Sequence, residues 1–196
     1  MKYVIVLIIL AAFYFLFFQG QPSIEREAGI LAPEEPIQLN LKKRESFTTG
    51  EYRVDKLAEF HIKARVLSKK KYRSGREKDL SRYDLAMGWG PMSDSRVLDE
   101  IEISQKNRWY YWKTKHFPIP RKDIETHSAN MHMLTDDEDI EKELGRVKKG
   151  NTVELKGYLV YVEAGDGWRW KSSLTRNDTG GGSCEVIWVE EFRILD

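Results

Sequence analysis

The chain opens with an uninterrupted apolar segment, and this segment sets the first constraint on the fold. Residues 3–18 are sixteen side chains without a charge, directly after Lys2. As a helix, residues 3–20 would span about 27 Å, close to the hydrocarbon thickness of a thin bilayer. The segment therefore predicts a transmembrane helix, and we assign residues 1–20 to a membrane anchor.

A cleaved signal peptide is the alternative interpretation of the same segment. Signal peptidase requires small residues at the first and third positions before the cut, whereas Phe18 lies two positions before Gly20. Lys2 is the only charged side chain before Glu25, so the positive-inside rule keeps the N-terminus in the cytoplasm. The prediction is a single-pass protein of the bacterial inner membrane with its C-terminal domain outside the cytoplasm, in the periplasm.

Residues 21–40 are predicted to form a stalk, because proline favours extended backbone and like charges resist collapse. The prolines and acidic residues of this segment are Pro22, Pro33, Pro36, Glu25, Glu27, Glu34 and Glu35. Residues 41–196 are long enough for one core and are predicted to form a single globular domain.

Charge excludes one class of partner. Without residues 1–20 the chain has 31 basic and 31 acidic side chains, a balance that predicts no nucleic-acid binding. The charges are nevertheless segregated, with basic residues concentrated at 69–78 and acidic residues at 136–143. Such runs are typical of solvated faces.

The clearest local patterns are strands with one helix between them. Phe60, Ile62, Ala64 and Val66 alternate with polar residues, as in a half-buried strand. Thr135 to Glu138 forms a capping-box pattern, and Gly150 follows the apolar face of the predicted helix. Residues 152–174 have the pattern of a hairpin, and Val186–Val189 the pattern of a strand buried on both faces.

These patterns predict an α+β domain with a curled antiparallel sheet and at least one packed helix. An open, OB-like barrel is the preferred version. An ordinary antiparallel sheet with helices on one face is the alternative.

Three segments are more specified than a core requires. They are Gly88-Trp-Gly-Pro-Met-Ser-Asp94, His127-Ser-Ala-Asn-Met-His132, and Trp170-Lys-Ser-Ser-Leu-Thr-Arg-Asn-Asp-Thr-Gly-Gly-Gly-Ser-Cys-Glu185. Together they resemble segments of a family of uncharacterised bacterial proteins. The resemblance implies no activity, cofactor or catalytic residue, so the site must be inferred from the residues themselves.

His127 and His132 are weak candidates for metal ligands, because their spacing of five residues matches neither a helical i, i+4 pair nor an obvious strand pair. We therefore predict no metal and no cofactor. Cys184, the only cysteine, could act as a nucleophile with either histidine as its base, or could be a buried structural thiol.

Four residues are candidate ligand contacts: Trp89, Asn130, Arg176 and Asp178. Trp89 lies between two glycines and could present an aromatic surface, although core packing is the alternative. Asn130 could instead hold a turn. Arg176 and Asp178 supply hydrogen-bonding groups in a glycine-rich loop.

The sequence as a whole predicts a membrane-anchored binding or assembly module of the cell envelope, with a glycan or an envelope protein as its partner. The alternative is an envelope hydrolase that uses Cys184 or a histidine-bound metal. The sequence does not decide whether the protein is an enzyme, but convergence of Cys184, the histidines and a carboxylate in one cleft would favour catalysis.

Overall fold

The computed structural model describes residues 23–175 and 184–196. Its strands are β1 (Ile37–Asn40), β2 (Ser46–Thr49), β3 (Tyr52–Lys71), β4 (Tyr83–Gly88), β5 (Glu102–Lys106), β6 (Trp109–Lys113), β7 (Ser128–Leu134), β8 (Thr152–Ala164), β9 (Arg169–Lys171) and β10 (Glu185–Ile194). Its α-helices are α1 (Ser95–Leu98), α2 (Arg121–Thr126) and α3 (Glu138–Arg146), and short 3₁₀ turns lie at Arg76–Asp79 and Gly90–Ser93.

Five strands close into a ring in the order β3, β4, β7, β10, β8 and back to β3. β3 can pair at both ends of this order because it is 20 residues long: residues 52–65 pair with β8, and residues 65–71 pair with β4. The β7–β10 pair is parallel, and the other four pairs of the ring are antiparallel. Helix α3 connects β7 to β8. Five strands in a Greek-key ring are the arrangement of OB-type barrels.

The predicted α+β class is wrong, and so are the open barrel and the wholly antiparallel strand pairing of the predicted curled sheet. The fold is mainly β, because the longest α-helix among the described residues has only nine residues. The ring is closed by the β3–β8 pairing and includes one parallel pair. Both features depend on contacts between segments far apart in the chain, for which local periodicity carries no signal.

The predicted N-terminal transmembrane helix also requires correction, together with the single-pass topology and the inner-membrane localisation derived from it. Within residues 23–175 and 184–196, no helix is both long enough and apolar enough to cross a bilayer. The apolar segment at residues 3–18 lies outside the described residues.

The alternation predicted around Phe60 is confirmed, and its apolar side chains fill the barrel. Phe60, Ile62, Ala64 and Val66 face a core shared with Leu85, Met131, Leu155 and Ile187. The strand predicted to be buried on both faces is also confirmed, since all of Val186–Val189 are buried. Ile187 and Val189 face the barrel interior, whereas Val186 and Trp188 pack against a second layer that contains Tyr52, Val54, Val160 and Val162.

Helix α3 exists, but it begins later than the capping-box pattern predicts. The N-cap is Asp137, whose Oδ1 accepts hydrogen bonds from the backbone N–H groups of Asp139 (2.7 Å) and Ile140 (3.2 Å). Thr135 lies two residues before this N-cap, and its Oγ1 accepts a hydrogen bond from the backbone N–H of Asp137 at 3.1 Å. An Asp at the N-cap satisfies free amides and complements the helix dipole, so Asp137 competes successfully with Thr135.

The structure places residues 23–40, predicted as a stalk, along the surface of the barrel. Ala32 is fully buried, and the backbone N–H groups of Leu31 and Ala32 both donate to Ser93 Oγ at 3.1 Å. The backbone N–H of Ile24 donates to the carbonyl of Lys149 at 2.7 Å. The segment ends in β1, which pairs with β3. Its extended backbone is therefore used for packing and pairing.

Between β4 and β7 the chain leaves the ring and forms a separate two-stranded sheet, the β5–β6 hairpin. Ile103, Tyr110 and Trp112 lie on its inner face and pack against a small apolar cluster that includes Leu67 and Ile124. The hairpin thus lies over the outer surface of the barrel.

Candidate functional site

The outer face of β4 and β7 is polar, yet it is buried. Because strand side chains alternate, Leu85, Met87, Met131 and Met133 face the core and their neighbours face outward. These neighbours include Asp84, Ser128, Asn130 and His132, and all four are buried. Side chains of the β5–β6 hairpin and of β9 contact this face. Strands β4 and β7 are the second and third of the ring, which in OB-type barrels form the ligand-binding face.

Asp84 is the centre of this buried polar cluster, with none of its surface exposed. Its Oδ1 accepts a hydrogen bond from Arg108 Nη1 at 2.6 Å and lies 3.0 Å from His132 Nδ1. Its Oδ2 has no hydrogen-bond partner among the described residues. An unpaired buried carboxylate oxygen is costly, so this position calls for more explanation than packing alone.

Arg108 carries the contact from the hairpin to the barrel. Its Nη2 donates to the carbonyl of Ser81 at 2.8 Å, and its guanidinium lies 3.7 Å from the centre of the Tyr72 ring. Arg108 and Asn107 form the hairpin turn with φ values of 67° and 53°. A two-residue turn with both φ values positive suits Asn and Gly but is strained for Arg. The arginine is therefore placed there at a conformational cost that its side-chain contacts offset.

Two tyrosines support the hairpin from either side. Tyr72 Oη accepts a hydrogen bond from the backbone N–H of Arg108 at 2.9 Å, and Tyr110 Oη lies 3.0 Å from Ser128 Oγ. Burial, reinforced by the negative charge of Asp84, raises the pKa of Tyr72 to about 12. Burial also raises the pKa of Tyr110 to about 12. Both phenols therefore stay protonated at neutral pH.

Asn130 joins the hairpin to β10. Its Nδ2 donates to the carbonyl of Arg108 at 3.0 Å, and its Oδ1 accepts from Gln105 Nε2 at 2.6 Å. Cys184 Sγ lies 3.9 Å from both Asn130 Nδ2 and the Arg108 carbonyl oxygen. Asn130 lies within β7 and is therefore not itself part of a turn, as its alternative interpretation had it, but its side chain binds the turn of the hairpin.

The two histidines lie in different clusters. His132 stacks on Trp170, with ring centres 4.7 Å apart, and belongs to the cluster of Asp84. His127 follows α2, and its Nε2 lies 3.1 Å from Glu35 Oε1. The second oxygen of Glu35 accepts from Trp89 Nε1 at 2.9 Å. His127 therefore belongs with Glu35 and Trp89.

The other candidates divide as follows. Trp89 is only 1% exposed and packs in the barrel core, so the core-packing alternative is correct and Trp89 presents no aromatic surface. Arg176 and Asp178 lie outside the described residues. Within residues 23–175 and 184–196, no three His, Cys, Asp or Glu side chains are grouped so that they could hold a metal ion.

Comparison with known proteins does not identify the family of this chain. No protein family, curated protein or solved structure matches the chain. The functional argument therefore depends on the site alone.

Sequence reasoning missed Asp84, Arg108 and Tyr72, although two of them carried a signal. Asp84 is the one charged residue of an otherwise apolar strand, Tyr83–Gly88. Asn107-Arg108 directly precedes the aromatic run Trp109–Trp112, and Asn is typical of a two-residue hairpin turn. Which residues each would meet depends on the barrel topology.

The outer face of the hairpin differs sharply from the inner face. Trp109 and Tyr111 project from it and are 38% and 51% exposed. Lys106 is directly opposite Trp109 across the two strands, and Ser104 is opposite Tyr111. Lys113 Nζ and Glu102 Oε2 lie 3.0 Å apart at the end of the same face. The hairpin thus presents two aromatic rings with a polar border.

Proposed function

We propose that the protein is a carbohydrate-binding module and that the outer face of the β5–β6 hairpin is its contact surface. The observation that carries this proposal is the exposure of Trp109 and Tyr111, two residues apart on one strand, on a sheet whose other face is fixed to the barrel. Neighbouring exposed aromatic side chains are costly in water and are typical of binding surfaces.

The border of the two rings supports a sugar ligand. Sugar rings have apolar C–H faces, which stack on aromatic rings, and hydroxyl edges, which need donors and acceptors. Ser104 and Lys106 lie opposite the two aromatic residues, and Glu102 pairs with Lys113 beside them.

The buried polar cluster beneath the hairpin supports the same proposal, because it holds the hairpin in one position. Arg108 and Asn130 hold the turn of the hairpin by hydrogen bonds to Asp84, Ser81 and the Arg108 carbonyl. A contact surface that is already ordered loses less entropy when a ligand binds. The polar cluster then serves to position the aromatic rings.

Binding of soluble β-linked tetrasaccharides of glucose and of N-acetylglucosamine tests the proposal by titration calorimetry. Trp109→Ala and Tyr111→Ala should each weaken binding by at least about tenfold, which corresponds to a loss of about 1.4 kcal/mol. Both variants should keep the melting temperature of the wild type, because both side chains are partly exposed.

Phe117→Ala is the matched control, because Phe117 is an exposed aromatic residue outside the hairpin strands. It should leave sugar affinity unchanged. If the wild-type protein binds none of the tetrasaccharides, or if Phe117→Ala weakens binding as much as Trp109→Ala does, the proposal fails.

A thiol-dependent hydrolase is the second candidate, and one observation favours it. Asp84 Oδ1 lies 3.0 Å from His132 Nδ1, although without hydrogen-bond geometry, and Cys184 immediately precedes the β10 residues that pair with Met131 and His132. The unpaired Oδ2 of Asp84 fits a polar site of this kind. His127 takes no part, since it lies with Glu35 and Trp89.

Alkylation of Cys184 by iodoacetamide at neutral pH separates the two candidates. The binding module predicts slow alkylation, because Cys184 is partly buried and contacts the Asn130 amide and a backbone carbonyl. The hydrolase predicts rapid alkylation that His132→Gln slows by at least about tenfold. His127→Gln is the control and should change nothing, since His127 lies in the other cluster.

A further inference from the structure

A groove lined by cations lies on a different part of the surface, at the end of β3. Its walls are Lys69 and Lys71 from β3 and the segment that ends α3, residues 145–149, and it encloses about 580 Å³. Arg146, Lys148 and Lys149 come from that segment. Five of its seven lining residues are basic, and none is acidic.

The five cations are not equally engaged. Lys69 Nζ donates to the carbonyls of Leu144 (3.2 Å) and Gly145 (2.9 Å), so it neutralises the negative end of the α3 dipole. Arg146 Nη1 pairs with Glu143 at 2.5 Å. Lys71, Lys148 and Lys149 make no ion pair with any residue of the described chain. Three ammonium groups at the groove are thus available to a ligand.

The groove concentrates positive charge, since none of the residues that line it is acidic, although Glu143 beside it pairs with Arg146. Lys69 and Lys71 are neighbours on one face of β3, each with its Nζ within 5.4 Å of the centre of the Tyr83 ring. Burial, followed by the charge of Lys71, lowers the pKa of Lys69. An anion bound between the two lysines would offset the repulsion that lowers the pKa of Lys69.

We infer that this groove is a binding site for a compact polyphosphate group. Lysine binds phosphate as a point charge, and several lysines around one concave surface match several neighbouring phosphates. The inference does not rest on the proposed sugar binding, which uses the hairpin.

The surroundings of the groove favour a compact ligand over an extended nucleic acid. Helix α3 is about 13 Å long and extends from the groove, and it carries Glu138, Asp139, Glu141 and Glu143, which would repel a polyanion along it. The formal charge of the whole chain is only +1, so no broad positive surface field attracts nucleic acid. The positive charge is therefore local to the groove.

Titration calorimetry of the full chain with inorganic tripolyphosphate, in about 50 mM salt where screening is weak, tests the inference. The wild-type protein should bind one tripolyphosphate. The variant with Lys71→Gln, Lys148→Gln and Lys149→Gln should bind at least about tenfold more weakly, with unchanged melting temperature, because all three side chains are exposed.

The matched control carries Lys42→Gln, Lys43→Gln and Lys115→Gln, three exposed lysines outside the groove, and so has the same net charge. It should bind tripolyphosphate as the wild type does. Amide shifts in the NMR spectrum of the wild-type protein should map the ligand to Lys71, Lys148 and Lys149 without any substitution. ATP that binds no more tightly than tripolyphosphate supports recognition of the phosphates alone, and tighter ATP binding supports a nucleotide as their source.

Three outcomes would overturn the inference. The first is an equal loss of affinity in both triple variants, which would show a non-specific charge effect. The second is a set of NMR shifts away from the groove. The third is a single-stranded oligonucleotide that binds more tightly than tripolyphosphate and depends on the same three lysines.

Discussion

Arg108→Met should lower the free energy of unfolding by about 3–5 kcal/mol, the usual cost of removing one partner of a buried ion pair. The substitution leaves the fully buried carboxylate of Asp84 without its 2.6 Å hydrogen bond from Arg108, and it also removes the contact with the Tyr72 ring. Urea denaturation followed by far-UV circular dichroism measures the loss. Hydrogen exchange should show the amides of the β5–β6 hairpin opening first, because the anchor of its turn is lost.

A second substitution tells whether the buried charge is the cause. Asp84→Leu combined with Arg108→Met removes both charges, so the double variant should be more stable than Arg108→Met alone. Lys142→Met breaks an exposed pair with Asp139 and should leave stability unchanged within measurement error. A small effect of Arg108→Met, no larger than that of Lys142→Met, would mean that Arg108 does not anchor the hairpin.

Local patterns in the sequence predict local structure well here. The alternation at Phe60 to Val66 identifies the face of β3 that fills the barrel, and the apolar run at Val186 to Val189 identifies a strand covered on both sides. Each pattern indicates which side chains of a strand are buried, because apolar residues recur at the positions that face the core. The cap of α3 is shifted by two residues because Asp137 is an equally good N-cap that lies closer to the first helical residue.

Closure of the barrel could not be predicted in the same way. It depends on β3 pairing with β8 across about a hundred residues and on the parallel pairing of β7 with β10. Neither pairing has a local signature, because any apolar strand offers the same backbone groups. The predicted open barrel failed for this reason, since the number of strands alone does not tell an open sheet from a closed one, whereas the α+β class failed because the helices are short.

In the candidate site, too, the sequence predicts single residues but not the contacts between distant segments. His132, Asn130 and Cys184 are visible in the sequence as polar or reactive groups beside apolar runs, and the structure brings Asn130 and Cys184 together. The sequence offers His127 and His132 as a pair, yet the structure separates them, because His127 precedes β7 whereas His132 lies within it. Asp84 lies on β4 and Arg108 in the turn of the hairpin, so their contact depends on how the hairpin lies on the barrel.

Gly157→Ala should destabilise the protein by about 3 kcal/mol or more, the upper range for adding one carbon to a packed interior. Gly157 pairs with Phe60 on one side and with Val189 on the other, inside the closed ring. A Cβ at this position would overlap the backbone carbonyl oxygen of Trp188 and would lie 3.2 Å from the Cα of Val189. Since the obstacle is backbone and not a flexible side chain, relief requires β8 and β10 to move apart, which weakens the barrel at a ring contact.

Gly165→Ala is the matched control, because a Cβ at Gly165 meets no atom within 4 Å. It introduces the same methyl group and reduces the same backbone freedom of the unfolded chain, so its effect should stay within about 0.5 kcal/mol or be slightly stabilising. Thermal and urea unfolding of the two variants measure the difference directly. Equal stabilities would show that β8 and β10 do not approach each other at Gly157 as the barrel requires. A large gap between the two variants would identify Gly157 as the position where the closed ring, and not the strand alone, demands glycine.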